Sequence, residues 1–167
     1  LADAAIGVTP ALAARAVDAG VPPERVVSIS NMIDPIPPLD DPAARPTPVI
    51  GALGRFVPKK GFAHFLEALA LLRERGVAFR ALLGGAGDEG QALRELAARL
   101  GLNTQLEWSG WVEDTAAFYR ELDIFCVPSL EEPFGIVVLE AFANGAAVVT
   151  TDAEGPAQIV GDTGAAL

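Results

Sequence analysis

The sequence predicts an α/β fold, a doubly wound parallel sheet with helices on both faces. From residue 49 onward, short and continuously apolar runs alternate with amphipathic segments, a pattern typical of parallel strands that are buried on both sides. Hydrophobic residues make up 51% of the 167 residues, enough for the core of one domain. No uncharged stretch is long enough to predict a membrane-spanning helix.

Residues 1–34 are predicted to contain two strands and one helix. Thr9 and Pro10 mark the start of the helix, because proline is favoured at the first helical position. In chain order, these elements are a strand at residues 5–8, a helix at residues 11–19 and a strand at residues 25–30. Six of the 13 prolines fall within residues 35–48, too many for a helix or a central strand, so this segment is predicted to be a linker or hinge.

Residues 49–167 are predicted to form the main domain. Two segments carry apolar side chains at helical spacing, and both stripes are interpreted as core: Phe62, Phe65, Leu66, Leu69 and Leu72, then Leu93, Leu96, Ala97 and Leu100. Strands are predicted at residues 49–53, 79–83, 105–108, 124–127 and 146–150. Ligands of doubly wound sheets bind outside the carboxyl ends of the strands, so the loops that follow the strands are the places to expect a functional site.

The charge balance excludes several classes of partner. Twelve basic and 22 acidic residues give a net charge of −10, which argues against bulk affinity for nucleic acid or an anionic bilayer. Any phosphate site must therefore be local. Cys126 is the single cysteine and has no internal disulfide partner, which favours a reducing, cytoplasmic compartment. The chain begins with Leu1 and is expected to be a fragment.

The loop at residues 54–61 is a candidate phosphate site. It contains Arg55 and the chain's only two lysines, Lys59 and Lys60, between Gly54 and Gly61. Backbone N–H groups, the positive end of a helix dipole and mobile cations at one point suit a diphosphate. The alternative is a solvated turn with surface lysines.

The loop at residues 84–90 contains a G-x-G-x-x-G pattern formed by Gly85, Gly87 and Gly90. This spacing between a strand and a helix is typical of dinucleotide-binding turns, and Glu107 is a possible ribose ligand. The motif follows the second strand after the linker, however, whereas it normally follows the first. Glycines that serve only a tight turn and close helix packing are the alternative.

The loop at residues 128–142 is the most informative. Pro133 is predicted to start a helix whose free N–H groups belong to Phe134, Gly135 and Ile136. Glu132 and Glu140 would lie about 12 Å apart along a helix, too far for a hydrolytic carboxylate pair. They fit two hydroxyl-binding acids at opposite ends of a ligand. Glu140 lies within an apolar run and is expected to need a polar partner.

Four further residues are of types that occur in functional sites. His64, the only histidine, is interpreted as structural, and Cys126 as a small core residue. Of Trp108 and Trp111, which bracket Ser109 and Gly110, at least one is predicted to be core, and the other could flank a base.

These loops, in this order and spacing, resemble the nucleotide-sugar-binding half of retaining glycosyltransferases of the GT-B fold, in family 4 or group 1. The family's G-R-x4-K-G, G-x-G and E-x7-E segments match three parts of the chain, and its N-G-x-D hinge is similar to Asn31–Asp34 with Met32 in place of glycine. The matching residues are Gly54, Arg55, Lys60 and Gly61, then Gly85 and Gly87, then Glu132 and Glu140 with Pro133, Phe134 and Gly135 between them.

The resemblance implies a role for each matching residue. Arg55 and Lys60 would neutralise the donor diphosphate, Glu140 would hold the ribose hydroxyls, and Glu132 would contact the transferred sugar. The resemblance implies neither a metal ion nor another cofactor. The remaining donor-binding residues would be Gly54, Gly85 and Gly87, the backbone N–H groups of Phe134, Gly135 and Ile136, and the base-binding loop of Gly110, Trp111 and Val112.

The resemblance also implies what is missing. Residues 1–34 look like the tail of an absent acceptor domain, and the chain stops before the family's closing helices, so the fragment alone is expected to be inactive. Gln158 stands where the family has an acid, which puts donor-sugar contacts there in doubt. The acceptor would be a carbohydrate or a lipid-linked carbohydrate, and the full-length protein would be cytoplasmic or peripheral to the inner membrane. Two alternatives stay open, an NAD(P)-dependent oxidoreductase and a non-catalytic sugar-nucleotide-binding module.

Overall fold

The computed structural model describes residues 3–35 and 45–161. Its elements alternate between strands and helices as the sequence predicts. In chain order they are β1 (Ala5–Gly7), α1 (Pro10–Asp18), β2 (Val26–Ser28), β3 (Val49–Leu53), α2 (Phe62–Glu74), β4 (Arg80–Gly84), α3 (Gly90–Arg99), β5 (Leu106–Gly110), α4 (Thr115–Arg120), β6 (Ile124–Val127), α5 (Ile136–Ala143), β7 (Ala147–Thr150) and α6 (Glu154–Gly161). The predicted α/β fold class is confirmed, and strand bounds differ from the predicted ones by two residues at most.

The main sheet is parallel throughout, with the strand order β5-β4-β3-β6-β7. Strands β4 and β5 lie on one side of β3, whereas β6 and β7 lie on the other. The direction of winding therefore reverses between β3 and β6. Loops that leave neighbouring strands on opposite sides of such a switch point diverge and leave a crevice between them, which is where open α/β sheets bind ligands.

Two apolar layers cover the sheet. Helices α2 and α3 cover one face, and the predicted stripes point into it: Phe62, Phe65, Leu66, Leu69, Leu93 and Ala97 are buried, while Leu72, Leu96 and Leu100 are partly buried at its margin. Helices α4 and α5 cover the other face with Phe118, Tyr119, Val138 and Ala141. Each large side chain buried in this way contributes about 1.5–3 kcal/mol of transfer free energy, so the two layers hold the loops at the strand ends in place.

A small parallel pair of strands, β1 and β2, lies beside the main sheet together with α1. Thr9 caps α1, since its hydroxyl accepts a hydrogen bond from the Leu12 N–H at 3.2 Å. Arg15 of α1 forms an exposed ion pair with Glu154 of α6 at 2.7 Å. The predicted linker at residues 35–48 lies largely outside the described residues, which leave out residues 36–44. The division of the chain at that linker stays a prediction.

The longest described helix, α2, has 13 residues, fewer than the roughly 20 that a bilayer core requires. Among the residues that the structure describes, no helix is able to span a membrane.

Candidate functional site

Two loops meet at the switch point of the sheet, one after β3 and one after β6. The carbonyl of Lys59 accepts a hydrogen bond from the Leu130 N–H at 2.8 Å. Gly61 has a positive φ of 65°, and a Cβ there would collide with the carbonyl oxygen of Pro128. A glycine is therefore required where the two loops touch. The lysine pair of the first loop and the glutamates of the second are fixed against each other by backbone contacts.

Lys60 and Glu132 form an ion pair across this junction, through Nζ and Oε2. Their side chains are only 23% and 13% exposed, so solvent screens the pair less than an exposed one. Arg55, on the same loop, is exposed and forms no ion pair within residues 3–35 and 45–161. One predicted cation, Lys60, and the predicted sugar-contacting acid, Glu132, are thus brought together, whereas Arg55 shares only the loop with Lys60.

The helix predicted to start at Pro133 begins instead at Ile136, so that boundary is wrong. Gly135 precedes the helix with a φ of 87°, a left-handed conformation that breaks the helical path. Phe134 lies in the turn with its side chain buried. The first N–H groups without helical carbonyl partners are those of Ile136 and Val137, and Phe134 is not among them.

Glu140 has the polar partner that its apolar surroundings require. The Tyr119 hydroxyl donates a hydrogen bond to Glu140 Oε2 at 2.8 Å. Burial, and secondarily this hydrogen bond and the charge of Glu140, raise the pKa of Tyr119 well above its usual value, so the phenol remains a donor. The sequence interpretation did not identify Tyr119, although it is the only tyrosine of the chain.

A cavity of about 330 Å³ opens beside Glu140. Helix α4 contributes Thr115 and Ala116 to its wall, α5 contributes Ile136, Glu140 and Asn144, and the hinge segment contributes Met32, Ile33 and Asp34. The carboxylates and the threonine hydroxyl offer hydrogen-bond acceptors, while the other walls are mostly apolar. Such a cavity suits a ligand that carries hydroxyl groups on an otherwise flat or apolar body.

The glycine-rich turn packs against the loop after β3. Phe56 N–H donates to the Ala86 carbonyl at 2.8 Å, and Gly54 N–H donates to the Gly84 carbonyl at 3.1 Å. A Cβ at Gly85 would collide with the Gly54 carbonyl oxygen, and one at Gly87 would lie 2.5 Å from the carbonyl oxygen of Phe56. Close packing of two loops therefore accounts for both glycines without a dinucleotide.

The predicted base-binding loop follows β5. Gly110 has a φ of 66° and accepts a hydrogen bond from the Gly85 N–H at 2.6 Å. Trp111 is 74% exposed, whereas Val112 is half-buried. Trp108 packs edge-on against Phe56 with ring centroids 6.1 Å apart, which confirms that one of the two tryptophans belongs to the core.

Other candidate residues lie apart from this cluster. Glu107, the possible ribose ligand of a dinucleotide site, is exposed and pairs at 3.5 Å with Arg80, the first residue of β4. It therefore points toward the amino ends of the strands. His64 is exposed and pairs with Glu67 at 3.2 Å. Burial raises the pKa of the Cys126 thiol to about 11, so it is a poor nucleophile, as its interpretation as a core residue requires.

Two more cavities lie on the side of α1. One of about 470 Å³ is lined by Glu132, Arg15 of α1, and acidic residues including Glu131, Asp152 and Glu154. The other, of about 360 Å³, is lined by Gln158 with Thr9 and Asn31. Among the residues that the structure describes, no three His, Cys, Asp or Glu side chains come together as a metal ion would require.

Comparison with known proteins gives consistent matches. The model of the family "Glycosyl transferases group 1" matches residues 41–167. The lipopolysaccharide core biosynthesis glycosyltransferase LpsE of Rhizobium meliloti is 43% identical over 118 residues, which are 71% of this chain and 33% of LpsE. The phosphatidyl-myo-inositol mannosyltransferase of Mycolicibacterium smegmatis is 40% identical over 114 residues, covering 66% of this chain and 29% of that enzyme. The chain thus spans about a third of the length of these relatives.

Solved structures show the same fold. HepE of Anabaena, in complex with UDP, superposes with a TM-score of 0.78 at 24% identity over 96% of this chain and 48% of its own. WaaG, a glycosyltransferase involved in lipopolysaccharide biosynthesis, gives 0.78 at 22% identity over 97% and 48%. The five-stranded sheet and its helices correspond to one Rossmann-like half of a GT-B glycosyltransferase. The chain belongs to the group 1 glycosyltransferase family.

Proposed function

We propose that this chain is the donor-binding part of a retaining glycosyltransferase and binds a nucleoside diphosphate sugar. The observation that carries the proposal is the half-buried Lys60 beside Glu132 at the switch point of the sheet, with Glu140 beside an open cavity on the following helix. The solved complex of HepE with UDP supports this class of ligand. The base and the sugar are left open.

The leaving diphosphate is the group whose charge increases during sugar transfer. Lys60 and Arg55 can place two positive charges on it, and the Ile136 and Val137 N–H groups add the positive end of the α5 dipole. Once the donor is bound, positive groups held at the leaving group stabilise its charge more effectively than water does, because they need little further reorganisation during the transfer. The proposal therefore includes no metal ion and no further cofactor.

The two glutamates take the two ends of the donor. Glu140 accepts hydrogen bonds from the ribose hydroxyls in its cavity, and Trp111 with Gly110 and Val112 lies near the base. Glu132 contacts the transferred sugar once Lys60 has turned to the phosphate. Both glutamate contacts pair a carboxylate with hydroxyl donors, and such hydrogen bonds are stronger than those between neutral groups.

The cavity lined by Arg15 and Glu132 lies between α1 and the loops that follow β6 and β7, and it is proposed as the side of the site that faces the acceptor. The chain's relatives act in lipopolysaccharide core biosynthesis and on phosphatidyl-myo-inositol by name, so a saccharide or lipid-linked acceptor at the inner membrane is proposed. The fragment alone is proposed to bind the donor without transferring its sugar.

Calorimetric titration of UDP, GDP, ADP and dTDP against the chain tests the proposal. Replacing Lys60 by alanine should weaken binding of the best ligand by about 1.5–3 kcal/mol, the range for a hydrogen bond to a charged group. Lys59→Ala is the matched control, because it removes the same charge from the adjacent exposed position and should cost less than about 0.5 kcal/mol. Equal affinity in the wild type and Lys60→Ala would contradict the site.

One further titration, with NADH, and one transfer assay on the full-length protein separate the alternatives. Saturable binding of NADH in preference to every nucleoside diphosphate would favour an oxidoreductase. A non-catalytic module would bind the sugar nucleotide but would give no transfer to any acceptor in the full-length protein. The proposal predicts weak NADH binding and, in the full-length protein, release of the nucleoside diphosphate with transfer.

A further inference from the structure

The buried Tyr119 forms a hydrogen bond with Glu140, which lines the cavity of about 330 Å³ described above. The side chain is fully buried, and its ring meets Phe125 edge-on with centroids 5.0 Å apart and Phe118 at 6.1 Å. Edge-to-face packing on both neighbours leaves the ring one orientation. The hydroxyl is therefore delivered to a fixed point, which is Glu140 Oε2 at 2.8 Å.

The hydrogen bond uses one of the two carboxylate oxygens of Glu140. Within the part of the chain that the structure describes, Oε1 accepts no hydrogen bond from protein, and Glu140 lines the open cavity. A carboxylate has about four acceptor positions, so the remaining ones can serve ligand hydroxyls. A glutamate held in this way loses less side-chain freedom when the ligand binds than a free glutamate would.

We propose that Tyr119 is a positioning residue for the donor site, which holds Glu140 in the orientation that reads the ribose hydroxyls of the nucleotide. This inference rests on the proposed function, because it requires a nucleoside diphosphate in the cavity beside Glu140. Tyr119 itself does not touch the ligand. Its effect passes through a single hydrogen bond between helices α4 and α5.

The alternative is that Tyr119 serves only the core. Its ring fills the layer between α4, α5 and β6, and the hydrogen bond would then do no more than satisfy a buried hydroxyl. A purely structural role would change the stability of the fold and the binding of all nucleotides alike. A positioning role would change the preference for nucleotides that carry ribose hydroxyls.

The test compares Tyr119→Phe, which removes the hydroxyl and keeps the ring, with the wild type. The ligands are the ribonucleoside diphosphate that binds best among UDP, GDP and ADP, and its 2′,3′-dideoxy analogue. Tyr119→Phe should weaken the ribonucleotide about fivefold, the size of one hydrogen bond, and leave the dideoxy analogue unchanged. Phe118→Leu is the control within the same aromatic cluster, which should lower the melting temperature without changing the ratio of the two affinities.

A double variant tests whether Tyr119 acts through Glu140. In a Glu140→Gln background, adding Tyr119→Phe should change ribonucleotide affinity by less than about twofold, because the two residues act as one unit. An unchanged affinity ratio in Tyr119→Phe, equal losses for both ligands, or additive effects of the two changes would overturn the inference while leaving donor binding intact. Failure of the wild type to bind any nucleoside diphosphate would instead remove the proposed function, and this inference with it.

Discussion

Glu132 and Glu140 belong to one E-x7-E segment, yet their side chains have different kinds of partner in the structure. Glu132 lies in the loop after β6 and is paired with a cation, Lys60. Glu140 lies on a helix and is held by a neutral phenol, Tyr119. We expect an incoming anion to compete with Glu132 for Lys60, whereas Glu140 is expected to keep its partner Tyr119 when hydroxyl groups bind to it. The partner of each glutamate therefore decides which role we propose for it, contact with the transferred sugar for Glu132 and with the ribose for Glu140.

Both glutamates have partners within the protein, so neither carboxylate depends on a bound ligand for a polar contact. A half-buried lysine without a counter-ion would be costly, and Glu132 is the counter-ion of Lys60 in this structure. Glu140 needs no exchange, because its partner lies behind it in the core. Donor binding is expected to rearrange the Lys60 end of the site and to leave the Tyr119 end as it is.

Reversing the charge of Lys60 should have the largest effect. Lys60→Glu places two carboxylates side by side and removes the cation, so nucleoside diphosphate affinity should fall at least about 100-fold, roughly 3 kcal/mol or more. Lys59→Glu changes the net charge of the chain by the same amount at an exposed neighbouring position. Calorimetry on both variants separates the effect of a charge at the site from the effect of the chain's net charge. Similar losses of affinity in the two variants would mean that Lys60 does not contact the diphosphate.

Removing the charge of Glu132 should act in the opposite direction. Glu132→Gln frees Lys60 from its ion pair, so a nucleoside diphosphate without sugar should bind more tightly, by about 5- to 10-fold or 1–1.4 kcal/mol. Titration with the same ligand against the wild type measures the gain. Weaker binding in Glu132→Gln would show that the glutamate supports the phosphate site instead of competing for it.

Glu140→Gln should cause a smaller loss. The amide keeps the size of the side chain but weakens its hydrogen bonds to hydroxyls, and the ribonucleotide should bind about fivefold more weakly, roughly 1 kcal/mol. The 2′,3′-dideoxy analogue, measured in parallel, should be unaffected. If Glu140→Gln strengthened binding as Glu132→Gln is expected to do, the distinction between the two glutamates would fail.

The smallest effect concerns stability at high pH. The pKa of Tyr119 is raised in the fold above its usual value of 10.0, so the unfolded chain loses this proton first. Its contribution is therefore complete below about pH 10 and decreases above it. Urea unfolding of the wild type and Tyr119→Phe between about pH 9 and pH 11 should show a difference in unfolding free energy that shrinks as pH rises. Cys126, whose pKa is also raised, is present in both chains and cancels. A constant difference would mean that Tyr119 ionises freely in the fold.

Much of the fold follows from local sequence patterns. Short apolar runs predict β3 and β6 with the bounds found, because a strand buried on both faces leaves a continuous apolar signal. Lys60 and Glu132 were also predicted as site residues, since both lie in loops at the carboxyl ends of strands. Their ion pair was not predicted, because it joins loops that are distant in the chain and meet only at the switch point of the sheet.

Two features depended on information that local patterns do not contain. The start of α5 is predicted at Pro133, but Gly135 has a left-handed conformation, and a Cβ there would lie 2.9 Å from Pro156 of α6. Tyr119 was missed because it joins Glu140 across two helices, which no periodicity records. Both misses concern contacts between elements rather than the elements themselves.

A crystal structure of the chain with its tightest-binding nucleoside diphosphate would show whether Lys60 and Glu140 bind the donor. We expect Lys60 Nζ to have left Glu132 for a phosphate oxygen, while Glu140 accepts hydrogen bonds from the ribose and still receives the one from Tyr119. A diphosphate seated on the turn of Gly85 and Gly87, with the Lys60–Glu132 ion pair intact, would contradict this expectation.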